Sequence, residues 1–239
     1  MKTIPTRVAS TGLLSALGAP VLHATQFLLG LIHREVVSFA QPERAATAAR
    51  IREIICGFPS QTVGVDEAYV IRNAVLATEQ VPGVIAEVGV FRGGTAKVIC
   101  EAKGERALHL FDTFQGLPSP GTIDEGFEGG QYACSLTEVK AYLAGCQNVF
   151  FHAGLFPETA APVRDFQFSF VHLDVDLYES TRAALHFFYP RMSTGAMLIS
   201  HDFVEILAVR RAFDEYFSDR AQPVLELSGN QCLVVKITN

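Results

Sequence analysis

The sequence predicts an α/β fold: a doubly wound, mainly parallel seven-stranded sheet that ends in an antiparallel hairpin and is preceded by N-terminal helices. Three observations point to it. Short, β-branched, nearly all-apolar runs recur from Val84 onward, and such runs belong to strands covered on both faces. Helical segments separate them at short intervals, the alternation that builds parallel sheets. The tail breaks this rhythm: Val224 to Leu227 and Cys232 to Ile237, joined by Ser228-Gly229-Asn230, read as a hairpin.

Taken in order, Glu43 to Ile55 and Asp66 to Gln80 read as helices separated by Gly57-Phe58-Pro59-Ser60. Val84 to Val90 is the first strand and Gly93 to Lys103 the helix after it. Ala107 to Asp112 is a strand, and Ser135 to Leu143 a helix opened by a capping box of Ser135 with Glu138. Val149 to Gly154 and Phe168 to Asp174 are strands, and Glu179 to Tyr189 is a helix. Ala196 to Ser200 is a strand and Val204 to Phe217 a helix. The expected division is an N-terminal helical arm over residues 1–65 and a ligand-binding domain over 66–239.

Composition narrows the class. The chain has 239 residues, of which 49% are hydrophobic and 18% charged, enough apolar material for one large core. A net charge of −6, with no basic run, argues against nucleic acid as a partner. The five cysteines form no C-x-x-C pair. They are expected as small buried hydrophobes in a reducing, cytoplasmic setting. Val8 to His33 carries no Asp, Glu, Lys or Arg. That length could span a bilayer, but Ser10, Ser15, Pro20, His23 and Gln26 interrupt it. The preferred reading is a helix packed on the domain or on a second copy in a homodimer or higher homo-oligomer, with membrane contact through residues 8–33, or a cleaved segment, as the alternative.

The segment Glu87-Val88-Gly89-Val90-Phe91-Arg92-Gly93-Gly94-Thr95 joins the first strand to its helix. Glycines there let backbone approach a ligand, and the N–H groups at a helix start favour an anion. The pattern is not G-x-G-x-x-G, which weakens a pyrophosphate reading. Asp112, with Thr113 and Phe114 after it, ends the next strand, where an acid can accept both hydroxyls of a ribose. Asp174 closes the fourth strand and His201-Asp202 the fifth. Carboxyl ends of neighbouring parallel strands share one crevice, so these three should converge in a set suited to a divalent metal or to general-base chemistry. Asp176 and Glu179 read as supporting or capping residues.

At this point the chain resembles the macrocin O-methyltransferase family. The matching segments are Glu87 to Gly94, Phe111-Asp112-Thr113-Phe114-Gln115-Gly116-Leu117-Pro118 and Leu173-Asp174-Val175-Asp176-Leu177-Tyr178-Glu179-Ser180-Thr181. Tyr189 to Gly195 and His201-Asp202-Phe203 follow in the expected order. The resemblance covers roughly residues 66 to 217. It implies S-adenosylmethionine as methyl donor, held by Glu87, Gly89, Arg92, Gly93, Gly94, Thr95, Asp112, Thr113, Phe114 and Asp174. It implies a small-molecule hydroxyl acceptor, a sugar or natural product, and a mobile loop over Pro118 to Ala133. It also implies a magnesium site at Asp174, His201 and Asp202, where the family has three aspartates. The histidine leaves three outcomes open: a softer divalent metal, no metal with His201 as base, or a weakened catalyst. Two further readings stay in play, a catalytically altered protein that keeps the fold and cofactor, and a nicotinamide oxidoreductase.

Overall fold

The computed structural model describes residues 39, 41–56 and 63–237. Residues 46–239 form one compact unit and residues 1–45 another. The uncharged stretch of residues 8–33 lies outside the described residues. Among the described residues, no helix is long and apolar enough to cross a membrane.

The elements are α1 (Pro42–Ile55), α2 (Val65–Ala77), β1 (Val84–Val88), α3 (Gly94–Ala102), β2 (Leu108–Asp112), α4 (Leu136–Tyr142), β3 (Val149–Ala153), β4 (Phe168–Leu173), α5 (Tyr178–Phe188), β5 (Met192–Ser200), α6 (Leu207–Phe217), β6 (Leu225–Glu226) and β7 (Cys232–Val235). They build one seven-stranded sheet in the order β3-β2-β1-β4-β5-β7-β6. The first five strands pair in parallel, and β7 lies antiparallel to β5 and β6.

The period-2 geometry of strands sorts the apolar residues onto two faces. Ala86, Val88, Phe111, Val171 and Leu173 join one core with Leu185 and Phe188 of α5 and Phe213 and Phe217 of α6. Ile85, Leu108, Leu110 and Phe170 join the other with Ile71 and Val75 of α2 and Ile99 of α3. Both faces are covered, which is why the strands read as continuous apolar runs. The second half of α1 belongs to the compact unit, where Ile51, Ile54 and Ile55 pack on Val63, Ala68 and Val98.

Element ends differ from expectation for local reasons. α4 starts as its capping box requires, with Glu138 N–H donating to the Ser135 hydroxyl at 3.1 Å and Ser135 N–H to Glu138 at 3.2 Å. Helix α6 starts at Leu207, three residues after the expected Val204. The Asn230 side chain accepts the N–H groups of Val204 and Glu205 at 3.1 and 2.8 Å and holds both outside the helix. The cysteines form no disulfide, but only Cys232 is buried and Cys56, just past the end of α1, is exposed.

Two imidazoles sit side by side on β2 and β3. His109 Nδ1 lies 3.0 Å from His152 Nε2, and the rings stack against Phe150 and Phe111 respectively. Burial, aided by the charge of His152, lowers His109 from 6.5 to about 4, and burial lowers His152 as well. A folded value below the unfolded one gives stability that is present above pH 6.5 and is lost as pH falls from there toward 4. Thermal unfolding followed from pH 7.5 to 4.5 should therefore show a falling midpoint, and His109→Phe should flatten that fall. Identical slopes in both proteins would refute this account.

Candidate active site

The order of strands reverses between β1 and β4, and open α/β sheets bind ligands in the crevice at such a switch point. Here the two strand ends are knitted closely. Gly89 N–H donates to the Phe111 carbonyl and Asp174 N–H to the Val88 carbonyl, both at 2.9 Å. Gly89 has φ +84°, and a Cβ there would lie 1.7 Å from the Asp174 carbonyl oxygen, so only glycine permits this approach.

A cleft opens above this junction. Of the residues expected from sequence, Gly89, Asp112, Thr113, Asp174, His201 and Asp202 line it. Glu87, Arg92, Gly93, Gly94, Thr95 and Phe114 are not in its wall. Gly93 instead takes the left-handed conformation that caps α3, and the Arg92 guanidinium stacks on the Phe91 ring at 5.2 Å.

Glu87 is fully buried. Its Oε1 accepts from the Thr95 hydroxyl at 2.5 Å and lies 2.9 Å from His172 Nδ1, while Oε2 has no partner. Burial pushes this carboxyl above the ordinary range against the opposing His172 contact. A buried acceptor without a donor is costly, and at the Gly89 loop it fits a cationic or hydrogen-bonding ligand group. Asp112 serves the backbone more than expected. Its Oδ2 accepts the N–H groups of Val90 and Phe91 at 2.7 and 2.9 Å, and Oδ1 accepts Phe114 N–H at 2.7 Å. A carboxylate offers about four lone-pair sites, so three are filled and room remains for one ligand hydroxyl, not the two foreseen.

The acids at the strand ends do converge. Ligand atoms of Asp174, His201 and Asp202 all lie within 4.8 Å of one another. His201 Nδ1 is 3.0 Å from Asp202 Oδ1 and 3.5 Å from Asp174 Oδ1. Its Nε2 lies 3.4 Å from Glu67 Oε2. Burial disfavours charge on His201, but Asp174, Asp202 and Glu67 together outweigh it and raise the imidazole far above its usual range. Burial likewise opposes ionisation of Asp174, yet the charge and hydrogen bond of His201 hold that carboxyl at about 2. Burial and the charges of Asp174 and Asp202 push Asp176 up to about 8, so it is largely protonated at neutral pH. Glu179, by contrast, pairs with Arg182 on the surface.

Two members of this site, Glu67 and Asn230, gave no signal in the sequence, and a third, Tyr132, falls in the loop that the resemblance places over the site. Glu67 comes from the first turn of α2 and Asn230 from the turn of the β6–β7 hairpin, and Asn230 Nδ2 donates to Asp202 Oδ1 at 2.8 Å. Tyr132 reaches the cleft from the loop after β2 and meets Phe91 edge-on at 5.7 Å. That loop is tied down by Asp124, whose Oδ1 accepts Tyr178 N–H at 2.8 Å. Phe91, Tyr132, Asp176 and Asp202 all have φ between 47° and 62° and all line the cleft. Strained non-glycine backbone concentrates at functional sites.

A parallel sheet closed by an antiparallel β7, a glycine junction at the switch point and acids just after β4 and β5 match the arrangement expected of the S-adenosylmethionine-dependent methyltransferase class. The family comparison narrows this. Residues 68–226 match the model described as macrocin O-methyltransferase, and the chain belongs to that family. It is 31% identical over 176 residues to the 8-demethyl-8-(2,3-dimethoxy-alpha-L-rhamnosyl)-tetracenomycin-C 4'-O-methyltransferase of Streptomyces olivaceus, covering 66% of this chain and 67% of that one. It is 29% identical over 175 residues to the demethyldecarbamoylnovobiocin O-methyltransferase of Streptomyces niveus, covering 64% and 66%. The chain thus spans about two thirds of the length of these relatives. Among solved structures, the O-methyltransferase NovP superposes with a TM-score of 0.64 at 26% identity, over 74% of this chain and 81% of NovP. Membership in this family displaces the nicotinamide oxidoreductase reading.

Proposed function

We propose that the chain transfers a methyl group from S-adenosylmethionine to a hydroxyl oxygen of a small molecule, a sugar hydroxyl on a natural product. The convergence of Asp174, His201 and Asp202 beside the Gly89–Asp112 junction carries this reading. The donor supplies a methyl group already activated by its sulfonium. On the protein's side, the remaining lone pair of Asp112 suits a ribose hydroxyl, and Glu87 Oε2 suits the ammonium, directly or through water.

The proton of the acceptor hydroxyl must go to a group in the cleft. A protonated His201 serves as a fixed positive charge beside the reacting oxygen, in place of the base role that was one of the three outcomes left open from sequence. Asp202 is the better acceptor of the proton, because burial, opposed by His201 and aided by Asp174, raises its pKa above the ordinary value. Apolar walls, including Phe91, Phe111 and Leu155, limit competing water. Alignment of the two reactants supplies several kcal/mol, of order 7 or more in the best cases.

The same atoms fit a divalent ion once His201 gives up the proton on Nδ1. Glu67, Asp174, Asp176 and Asp202 surround the single imidazole of His201, leaving carboxyl groups in excess. Asp174, His201 and Asp202 would hold the ion, which would supply Lewis-acid polarisation of the acceptor oxygen. An imidazole nitrogen suits Mn²⁺ or Zn²⁺ better than Mg²⁺. Calorimetry should show Mn²⁺ bound at least about tenfold more tightly than Mg²⁺, with His201→Asp narrowing the gap. Equal affinities in the unaltered chain would sink this assignment.

The reading is tested by titration with S-adenosylhomocysteine and by transfer of radiolabel from S-adenosylmethionine to demethyldecarbamoylnovobiocin and to the rhamnosylated tetracenomycin. Binding of NAD in place of S-adenosylhomocysteine would overturn it. Binding without transfer to any sugar-bearing acceptor would favour the catalytically altered alternative.

A further inference from the structure

The hairpin turn looks architectural in sequence, yet it reaches into the site. Asn230 N–H donates to Glu67 Oε1 at 2.7 Å, while Glu67 Oε2 accepts Gly64 N–H at 2.7 Å and faces His201 Nε2 at 3.4 Å. One carboxylate therefore joins three parts of the chain: the start of α2, the turn between β6 and β7, and the end of β5. Gly229 makes room for it, since a Cβ at that position would lie 2.6 Å from Glu67 Oε1 and 2.8 Å from Cγ. Asn230 then continues the contact on the other side by donating to Asp202.

We propose that Glu67 is a positioning residue for His201, held in place by the Gly229-Asn230 turn. The geometry is that of a largely buried carboxylate, its side chain 12% exposed, behind an imidazole. With the Nε2 proton directed to Glu67, the ring is held so that Nδ1 faces Asp174 and Asp202, the side on which the acceptor or a metal is bound; Nδ1 carries a second proton in the metal-free protein and gives it up where a metal binds. Partners of this kind fix the tautomer and ring orientation of a working histidine, and their loss costs about 10- to 100-fold in activity or metal affinity. Glu67 lies one residue before the matched segment of 68–226, and it meets His201 across 134 positions of sequence. This inference rests on the methyltransferase reading for the purpose of the site, but its test does not.

The test uses the whole chain with Glu67→Gln and Gly229→Ala. Glutamine keeps an oxygen for Gly64 N–H but cannot supply both carboxylate oxygens to the turn and to His201. Alanine at 229 leaves Glu67 chemically intact and displaces its head group. Two-bond ¹⁵N–¹H spectra of the imidazoles, with His201 assigned by its loss in His201→Gln, report the proton on each ring nitrogen. The expected result is a protected Nε2 proton on His201 in the unaltered chain that is shifted or lost in both variants. S-adenosylhomocysteine affinity should stay within about twofold, while Mn²⁺ affinity falls about 10- to 100-fold. His201 resonances that superimpose on the unaltered protein in both variants would overturn the proposal. So would an S-adenosylhomocysteine affinity that falls as steeply as Mn²⁺ affinity, which would make Glu67 a general scaffold residue. An unaltered chain that binds no S-adenosylhomocysteine would defeat the methyltransferase reading, and the imidazole spectra would still decide the role of Glu67.

Discussion

Replacing Gly89 with alanine should abolish S-adenosylhomocysteine binding and destabilise the compact unit by about 3 kcal/mol or more. The residue holds φ +84°, a conformation that disfavours any side chain. The new Cβ would also meet the Asp174 carbonyl oxygen at 1.7 Å and its carbon at 2.6 Å. Both are backbone atoms, so no rotamer change relieves the clash. Asp174 cannot retreat while its N–H is bonded to the Val88 carbonyl at 2.9 Å. Relief therefore requires separating the ends of β1 and β4, where the cleft is built. Gly94→Ala is the matched control: its Cβ meets only Ile55 Cγ2, at 3.9 Å, and alanine in a helix gains roughly 0.5–1 kcal/mol over glycine. Urea unfolding and calorimetric titration of both variants give the comparison. A Gly89→Ala protein with an unchanged midpoint and intact binding would show that the junction is softer than its geometry implies.

The contrast between those two glycines shows what the sequence could and could not convey. Both stand in the same loop motif, and nothing in the order of residues says that Gly89 is crossed by another strand end while Gly94 has only the Ile55 side chain at van der Waals distance. Strands β1, β2 and β4 were legible because burial on both faces demands unbroken apolar runs such as Val84 to Val88 and Phe168 to Leu173. The Ser135–Glu138 box was legible because its partners are three residues apart. Asp174, His201 and Asp202 were legible because each follows a strand, and parallel strand ends must meet. Glu67 and Asn230 were not. Their contact spans 163 positions, and an acid in a helix's first turn reads as an ordinary capping residue. Asp112 was recognised as a site residue, but its three backbone donors come from loop conformations at Phe91 and Phe114 with φ of 47° and 54°, which no pattern of residue types announces.

Asp202→Asn and His201→Ala should each lower methyl transfer about 10²- to 10⁴-fold while S-adenosylhomocysteine affinity stays within about threefold. The two substitutions remove different things. Asparagine keeps the shape of Asp202 and can still accept from His201, but it cannot take a proton. Alanine at 201 deletes the only cation among Glu67, Asp174, Asp176 and Asp202 that the described chain provides. The carboxyl groups would then repel one another and take up protons. Because both residues stand in one hydrogen-bonded cluster, their effects should not add: the double variant should be scarcely slower than the worse single one. A steady-state comparison of kcat and of KM for the donor, with a fixed acceptor, separates these cases. Losses confined to KM would move the proton-accepting role away from this cluster. Losses that multiply in the double variant would mean that Asp202 and His201 act independently, against the 3.0 Å contact between them.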